Sequence, residues 1–351
     1  MQYAGPGPDI REAKLTVTIS EEFARQADPY RRELLAHCYR MLGSVHDAED
    51  LVQETLLRAW RASGRFDGER ASLRTWLYRI ATNVCLSALA GRSRRPLPSA
   101  LAGPSEDIEQ ALVRTEVPWL EPLPNAMVWA ERADPAAVAV SRSSLRLAFV
   151  AALQLLPPRQ RAILILREVL ELPAVEVADM LGTTQAAVNS ALQRARARLA
   201  GVAEDQIDEP AEADLRATVD AYVTAFENAD ITALTRLLTQ DAILEMPPMA
   251  LWYAGRENYR RFIARVWATR GTDWRMVRVG ANGQPGVAAY VRTDSGDYQL
   301  NTLHVLTITR AGISHNVVFV GPDMVATFGL APRLDAARLD AAVRDGAAGA
   351  R

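Results

Sequence analysis

Apolar positions recur every three to four residues through two long stretches of the chain, and this spacing is typical of amphipathic helices. The first stretch runs from Ser20 to about Arg95, and the second runs from Ser141 to Ala200. From Leu215 onward, helical spacing gives way to shorter apolar runs separated by Gly, Asp and Asn clusters, as expected between strands. The pattern therefore predicts two all-α domains followed by an α+β domain.

A proline-rich stretch separates the two helical domains. Gly91 to Ser141 contains seven of the nineteen prolines, which makes long helices unfavourable there. Its centre, the run WLEPLP that begins at Trp119, is too apolar for a free tether, so it either docks on another part of the protein or packs locally. The predicted segments are an N-terminal tail (1–19), a first helical domain (20–95), a linker (96–141), a second helical domain (142–201), an acidic hinge (202–213), the α+β domain (214–331) and a C-terminal tail (332–351).

The α+β segment has its own order of elements. The spacing predicts helices from Leu215 to Asn228 and from Glu257 to Thr269, with a short apolar run over residues 242–246 between them. Strand-like runs follow at Trp274–Val279, Val287–Arg292, Tyr298–Thr309 and Ile313–Val320. Because these runs succeed one another with short turns, we expect an antiparallel meander.

One helix of the first domain has two distinct faces. Ser44 can cap this helix. Its core side is formed by Ala48, Leu51, Val52, Thr55 and Ala59. The opposite side carries Asp50, Gln53, Glu54, Leu57 and Arg61. This second side is either an ordinary charged surface with one exposed leucine or a docking surface for another protein.

Charge is unevenly distributed, although the formal net charge is only −2. Between Arg58 and Arg95 there are nine arginines and two acids, whereas residues 204–214 hold six acids and no base. Such a basic middle indicates local contact with nucleic acid. Within it, Phe66 lies on a glycine-containing loop among arginines, a combination that can stack on an unpaired base. On the next helix, Asn83 can either read a base edge or face solvent.

The second helical domain has the pattern of a helix-turn-helix. Gly182 permits the turn, and Thr183 or Thr184 can cap the helix that follows. Small and amide side chains lie opposite its apolar face, as on a helix that enters a major groove. No acid occurs between Gly182 and Gly201, and the three arginines near the helix end match the spacing of phosphates.

Other classes of protein are excluded by what the chain lacks. Cys38 and Cys85 lie in apolar helical patterns and are predicted to be buried thiols, and no Cys/His spacing indicates zinc. The N-terminus has no signal-peptide pattern, and no uncharged apolar stretch reaches the length of a membrane span. We expect a soluble, cytoplasmic protein without a membrane contact.

These motifs resemble those of the extracytoplasmic-function (ECF) group of bacterial sigma-70 family sigma factors. HDAEDLVQETLLRAW resembles the helix that binds core polymerase, and FDGERASLRTWLYRIATNVCLSAL resembles the segment that melts and reads the minus-10 region. The stretch from Leu156 to Leu199 resembles the minus-35-reading domain. The resemblance covers roughly residues 21–95 and 142–199. It implies two all-α sigma domains, the region 2 bundle and the region 4 helix-turn-helix, in a protein that initiates transcription without a cofactor or metal of its own.

The resemblance also implies a contact set for each motif. The clamp helices of the largest polymerase subunit would meet Asp47, Asp50, Gln53, Glu54, Leu57 and Trp60, and the flap of the second-largest subunit would be a further partner. The minus-10 DNA would meet Arg65, Phe66, Arg70, Arg74, Arg79, Asn83 and Arg92. The minus-35 groove would meet Thr184, Gln185, Ala186, Asn189, Ser190, Gln193, Arg194, Arg196 and Arg198.

The small members of that family end soon after the helix-turn-helix, whereas this chain continues after residue 201. Their pattern resembles the SnoaL-like polyketide-cyclase superfamily, an α+β cone of curved sheet with helices and an internal pocket. Candidate pocket residues are Glu245, Met246, Trp252, Tyr253, Arg256, Asn301 and His304. A carboxylate near His304 would favour proton abstraction, whereas a lone His among apolar neighbours is more often structural than catalytic.

Three functions are consistent with these features. The first is a sigma factor whose C-terminal domain and linker contact the sigma domains and regulate them in cis, with a small-molecule ligand in the cone. The second is a helix-turn-helix regulator that never touches polymerase, which would leave the outer face around Glu54 and Leu57 without a purpose. The third is a sigma factor with a catalytic or ligand-sensing C-terminal domain.

Overall fold

The computed structural model describes residues 22–69, 71–129, 142–200, 208–321 and 326–335. The chain divides into two compact units. One comprises the residues up to Arg92 together with Pro157–Arg196, and the other comprises Ser93–Leu156 together with the residues from Ala197 onward. The proline-rich linker therefore belongs to the same unit as the C-terminal sheet.

The elements follow one another in the order that the pattern of the sequence suggests. The helices are α1 (Arg31–Leu42), α2 (Val45–Ala62), α3 (Leu73–Leu89), α4 (Asn125–Val128), α5 (Leu147–Gln154), α6 (Pro158–Leu164), α7 (Ala174–Met180), α8 (Gln185–Leu199), α9 (Glu212–Glu227), α10 (Ile231–Arg236) and α11 (Arg256–Arg270). The strands are β1 (Leu238–Glu245), β2 (Trp252–Ala254), β3 (Trp274–Ala281), β4 (Gln284–Arg292), β5 (Tyr298–Thr309), β6 (Gly312–Val320) and β7 (Arg333–Leu334). No helix in the described ranges is both long and apolar enough to cross a membrane.

Local capping fixes where the helices of the first unit begin and end. Gly43, with a φ of 69°, ends α1 in the left-handed region that glycine tolerates best. Ser44 Oγ then accepts a hydrogen bond from Asp47 N at 3.2 Å, which satisfies one free amide at the start of α2. Ser72 caps α3 in the same way, through Thr75 N at 3.1 Å. These caps confirm the predicted start of α2.

Within the first unit, α1, α2 and α3 pack against one another around an apolar core. Cys38 and Cys85 are completely buried in it, which confirms the prediction of buried thiols. The contact with Cys38 and burial raise the pKa of the Cys85 thiol, so this sulfur stays protonated and unreactive. Arg161 of α6 is also buried, and its guanidinium donates a hydrogen bond to the Met41 carbonyl at the end of α1.

The C-terminal domain is a mixed sheet in the order β2-β1-β6-β5-β4-β3, with β7 paired to β5. Strands β3 to β6 form the antiparallel meander that the sequence predicts. β1 is longer than the predicted apolar run, and it pairs with β6 in parallel. The apolar pattern identifies strands but carries no information on which distant strands pair, so it did not predict this parallel edge.

Both faces of this sheet are covered. On one face, the apolar core includes Phe226 of α9 and Trp267 of α11 together with Leu244 and Val318 of the sheet. On the other face, Val305 and Val317 are also buried, at 1% and 2% exposure. The linker contributes to this burial, since its Leu97, Leu120 and Leu123 are all buried.

The linker is bound to the sheet domain along much of its length. Ser105 N donates a hydrogen bond to Trp252 O on strand β2 at 2.9 Å. Farther along, Arg114 pairs with Met249 and Pro124 pairs with Ala281 as isolated antiparallel bridges. The linker thus protects both outer strands of the sheet, which would otherwise expose unpaired backbone groups. Of the two interpretations of the apolar run at Trp119, docking on another part of the protein is the one that the structure supports.

Candidate functional site

The outer face of α2 is exposed and combines acidic with large apolar side chains. Asp50 and Gln53 face solvent, and Leu57 and Trp60 are 38% and 40% exposed. Their spacing of three and four residues aligns them on one side of the helix. The opposite side is buried as predicted through Ala48, Val52, Thr55 and Ala59, whereas Leu51 is only half-buried. Because aromatic side chains are enriched in protein interfaces, the exposed Trp60 with Leu57 beside it makes this face a candidate docking surface.

Two acids on this helix have partners of their own. Glu54 Oε1 lies 2.6 Å from Arg58 Nε, and Asp47 Oδ2 lies 3.0 Å from Arg92 Nη1. Such partly exposed ion pairs are worth at most about 1 kcal/mol, because water screens them. A partner protein or DNA can therefore replace them at little cost.

The basic loop after α2 is held against α3. The Phe66 ring lies 5.0 Å from the Trp76 ring, centroid to centroid, so in this structure it packs on the protein and leaves no free stacking face on that side. Arg65 and Asn83 are exposed, as a contact with DNA requires. Arg70 was also predicted to contact DNA, but it lies outside the described residues.

Two further arginines of α3 that were predicted to meet DNA are paired with acids. Arg74 Nε lies 2.7 Å from Glu33 Oε2 on α1, and its guanidinium stacks on the Tyr78 ring at 5.0 Å. Arg79 Nη1 lies 2.9 Å from Asp179 Oδ2 on α7. Arg74 is half-buried and has a structural partner, whereas Arg79 and Asp179 are both exposed and can separate easily. Arg79 is therefore better suited than Arg74 to bind a phosphate.

The helix-turn-helix exposes one complete face of α8. Thr184 Oγ1 accepts a hydrogen bond from Ala187 N at 3.2 Å, so Thr184 is the cap among the two candidates. The buried face consists of Val188, Ala191, Leu192, Ala195 and Leu199, as predicted. The exposed residues are Thr184, Gln185, Ala186, Asn189, Ser190, Gln193, Arg194, Arg196 and Arg198. Arg194 donates to Ser190 Oγ at 2.6 Å and Arg196 pairs with Glu168, which pre-orients both guanidinium groups.

The residues predicted to line one pocket of the C-terminal domain do not form one site. In the sheet, Glu245 is directly opposite Val317 of β6, and His304 is directly opposite the adjacent residue, Val318. Because successive side chains of a strand point to opposite faces, Glu245 and His304 lie on different sides of the sheet. The grouping of these two residues into one pocket was therefore wrong.

His304 belongs to a closed hydrogen-bond network beneath the helices. Tyr222 Oη lies 2.9 Å from His304 Nδ1, and His304 Nε2 lies 3.0 Å from Thr302 Oγ1. Asn316 Nδ2 donates to Tyr259 Oη at 2.7 Å and to Tyr222 Oη at 3.2 Å. Burial raises the pKa of the Tyr222 phenol, so Tyr222 keeps its proton and can donate a hydrogen bond to His304 Nδ1.

The imidazole of His304 is neutral at physiological pH. Burial lowers the pKa of His304 to about 3, and no carboxylate in the described ranges is hydrogen-bonded to the ring. A catalytic base needs a pKa near the working pH and access to its substrate. His304 has neither, and its two nitrogens are already occupied by Tyr222 and Thr302.

The neutral state of His304 leads to a measurable pH dependence of stability. Its folded pKa of about 3 lies below the ordinary value of 6.5, so its contribution is complete above pH 6.5 and is lost as the pH falls toward 3. We expect the difference in unfolding free energy between the native chain and His304→Gln to shrink by about 1 kcal/mol per pH unit below about pH 6. Urea unfolding at several pH values measures it. Parallel pH profiles of the two proteins would contradict the buried neutral histidine.

Glu245 forms a separate polar cluster with the linker on the other face of the sheet. Its carboxylate is 1% exposed and accepts hydrogen bonds from Ser99 N at 2.8 Å and Ser99 Oγ at 3.1 Å. His315 Nε2 lies 2.9 Å from Glu245 Oε1, but the angle between the two groups does not allow a hydrogen bond. Ser99 and His315 were missed at the sequence level. Ser99 carries no motif, and the pairing of His315 with Glu245 depends on the parallel β1–β6 register.

The other predicted pocket residues serve the fold and the linker. Trp252 Nε1 donates to Ala102 O at 2.7 Å, and Tyr253 Oη donates to Asp107 O at 3.3 Å. Arg256 donates to the Leu238 carbonyl of β1, Met246 is part of the apolar core, and Asn301 is half-buried on β5. The contacts of Trp252, Tyr253 and Arg256 are thus hydrogen bonds to backbone carbonyls.

Three family models match successive parts of the chain. Residues 27–95 match the model described as Sigma-70 region 2, and residues 146–199 match Sigma-70, region 4. Residues 219–315 match the SnoaL-like domain. The first two matches contain α2, α3 and the helix-turn-helix, and the third contains most of the C-terminal sheet. The three models therefore agree with the predicted fold class.

Several known proteins are similar to the chain as a whole or in part. The ECF RNA polymerase sigma factor SigG of Mycobacterium tuberculosis is 51% identical over 315 residues, which cover 88% of this chain and 84% of that protein. SigW of Bacillus subtilis, also an ECF sigma factor, is 30% identical over 183 residues, covering 51% of this chain and 87% of SigW. The crystal structure of the M. tuberculosis ECF sigma factor SigJ covers 88% of this chain and 100% of its own, with a TM-score of 0.61 at 22% identity. The similarity to SigJ concerns the fold.

Proposed function

The chain belongs to the ECF RNA polymerase sigma factors, and on this premise we propose that the outer face of α2 is its docking surface for core polymerase. Asp50, Gln53, Glu54, Leu57 and Trp60 would meet the clamp helices of the largest subunit, with Asp47 at the edge of the contact. The flap of the second-largest subunit would be a further partner of region 4. The protein would act in the cytoplasm, together with polymerase.

The observation that carries this proposal is the exposure of Leu57 and Trp60 beside acids on one helix face. A helix-turn-helix regulator that works alone needs only the exposed face of α8. It needs no second exposed surface on which two large apolar side chains lie together, a feature of protein-interaction sites. The α2 surface therefore favours a sigma factor over a simple regulator.

Promoter recognition would be divided between α3 with its preceding loop and α8. Arg65, Phe66, Arg70, Arg79, Asn83 and Arg92 would contact the minus-10 region, and Arg74 would mainly orient α3. Opening of the duplex needs a few kcal/mol per unstacked step, which stacking of a flipped base on protein can offset. For this role Phe66 would have to separate from Trp76. The exposed amides and arginines of α8 would enter the minus-35 major groove.

We also propose that the C-terminal domain regulates the sigma domains in cis rather than by catalysis. The basis is that Glu245 and His304 are on opposite faces of the sheet and that both already have intramolecular partners. The extensive binding of the linker supports a regulatory role, because the linker joins regions 2 and 4. A small-molecule ligand that alters these contacts would be a natural signal.

Transcription with purified components tests the proposal. Tagged protein is first isolated with core polymerase, and the DNA that it retains is sequenced to obtain a template. Run-off transcription on this template with core enzyme plus the protein should then give a defined transcript, and core enzyme alone should not. A protein that binds the DNA but yields no transcript would be a regulator of another kind.

A further inference from the structure

The hairpin between β3 and β4 has a tip that is buried, although most hairpin tips face water. Asn282 and Gly283 form the turn with φ values of 56° and 70°, the left-handed pair that two-residue hairpins favour. Asn282 is nevertheless only 1% exposed. Tertiary contacts therefore enclose this turn.

Asn282 binds the backbone of two segments at once, one in the linker and one just before α5. Its own N–H donates to Leu123 O at 2.8 Å, and its Oδ1 accepts from Leu123 N at 2.8 Å. Its Nδ2 donates to Leu145 O at 2.8 Å. One side chain thus joins residues 123 and 145, which lie on either side of a segment of more than twenty residues.

The residues next to Asn282 extend this contact. Gly283 N donates to Asn125 Oδ1 at 2.8 Å, and Gln284 Oε1 accepts from Leu147 N at 2.9 Å. Leu147 is the first residue of α5, and the side chain of the preceding residue, Arg146, does not cap that helix. Gln284 is itself oriented by a bond from its Nε2 to Thr307 Oγ1 at 2.9 Å. A residue of the sheet therefore satisfies the first free amide of α5.

The fit around the turn is tight. A Cβ at Gly283 would lie 3.2 Å from Arg142 Cα, and a Cβ at Gly280 would lie 2.3 Å from Asn125 Nδ2. A larger residue at Gly280 would displace the Asn125 side chain, and the positive φ of Gly283 favours glycine. The tip thus fits closely against both segments.

We propose that this hairpin tip, residues 280–284, is a clip that ties the linker, at Leu123, to the segment that enters region 4, at Leu145, and that caps the first helix of region 4. Region 4 begins at residue 146, so α5 is its first helix, and its N-terminus is completed by the C-terminal domain. The clip supplies the physical link through which that domain controls a promoter-reading region. The regulatory consequence rests on the proposed function, whereas the clip itself is a property of the folded chain.

Hydrogen exchange on the full-length protein, without polymerase or DNA, tests the clip. Asn282→Gly keeps the left-handed turn but removes the side-chain bonds to both segments. We expect the Leu123 amide, which loses its acceptor, to exchange about tenfold faster or more. Amides in residues 145–150 should also exchange about tenfold faster, because Leu145 O loses its buried donor and this segment opens more readily. The matched control is Ser295→Gly, which loosens the exposed β4–β5 turn of the same sheet and should leave the linker unchanged.

A second variant tests the contacts of Asn282 with Leu123 and with Leu145 separately, and it distinguishes their loss from general unfolding. Asn282→Asp keeps the acceptor for Leu123 N but has no donor for Leu145 O. Residues 145–150 should exchange faster, while Leu123 and strands β4–β6 remain protected. If exchange at 145–150 stays within twofold of the native protein in both variants, the clip is refuted.

Polymerase assays distinguish this result from a failure of the proposed function. In the presence of core enzyme, the native chain should give a run-off transcript, and Asn282→Gly should change its amount. Faster exchange with no transcript from either protein would leave the clip intact and refute the sigma-factor proposal. Unchanged exchange with a normal transcript would refute the clip and leave the sigma-factor proposal intact.

Discussion

Replacing Asp50 and Glu54 together by arginine should reduce the affinity for core polymerase by about 100-fold or more. Both acids lie on the outer face of α2, next to the exposed Leu57 and Trp60. Charge reversal within an interface turns attraction into repulsion, which costs several kcal/mol, and about 2.8 kcal/mol already corresponds to 100-fold. Neither residue is part of the core, so folding should be retained.

Co-purification with tagged core enzyme and a titration of binding measure this effect. The control is the double variant Glu22→Arg and Asp28→Arg, which makes the same change of charge at exposed positions outside α2. It should bind as the native chain does. If the Asp50 and Glu54 variant keeps its helical content and still binds core polymerase with native affinity, the outer face of α2 is not the docking surface.

A chain that ends at residue 203 should be cut by trypsin within the linker about 100-fold faster than the full-length chain. Leu120 and Leu123 are buried in the unit that contains the sheet, and burial of each leucine is worth about 1.5–3 kcal/mol. Without the sheet, Leu123 of the linker also loses its two hydrogen bonds with Asn282. Proteolysis follows the population of the open state, so the two leucines alone predict an effect of this size.

Timed digestion and mass spectrometry identify the cleavage sites, with Arg114 and Arg142 as the diagnostic ones. A chain that ends at residue 335 is the control, because it loses only the C-terminal tail and should resist trypsin. The same two chains test regulation in cis, since the shorter one should have altered promoter activity. Equal transcription by both chains under all growth conditions would argue against that regulation.

The sequence was a good guide to which face of a single helix is exposed. The exposed faces of α2 and α8 follow from helical spacing alone, because side chains three and four residues apart share a face. The caps at Ser44 and Thr184 follow from local chemistry. The roles of these faces could be assigned only through the resemblance to a family.

The C-terminal domain was less predictable, since its polar clusters depend on distant pairings. His304 and Glu245 both suited a pocket by residue type, but the parallel β1–β6 register separates them onto two faces. Ser99 and His315 meet Glu245 only through that register and the path of the linker. The role of Asn282 had a local signal, the Asn-Gly turn, but its contacts with Leu123 and Leu145 had none.

The separation of Ser99 from Glu245 by 146 residues has a consequence for biosynthesis. At about 5–20 residues per second, the ribosome needs roughly 7–30 s to make the second partner after the first has been synthesised. During that interval, the apolar side chains of Leu120 and Leu123 lack their final cover. We therefore expect prematurely released chains, in which these leucines stay exposed, to be degraded faster than complete copies.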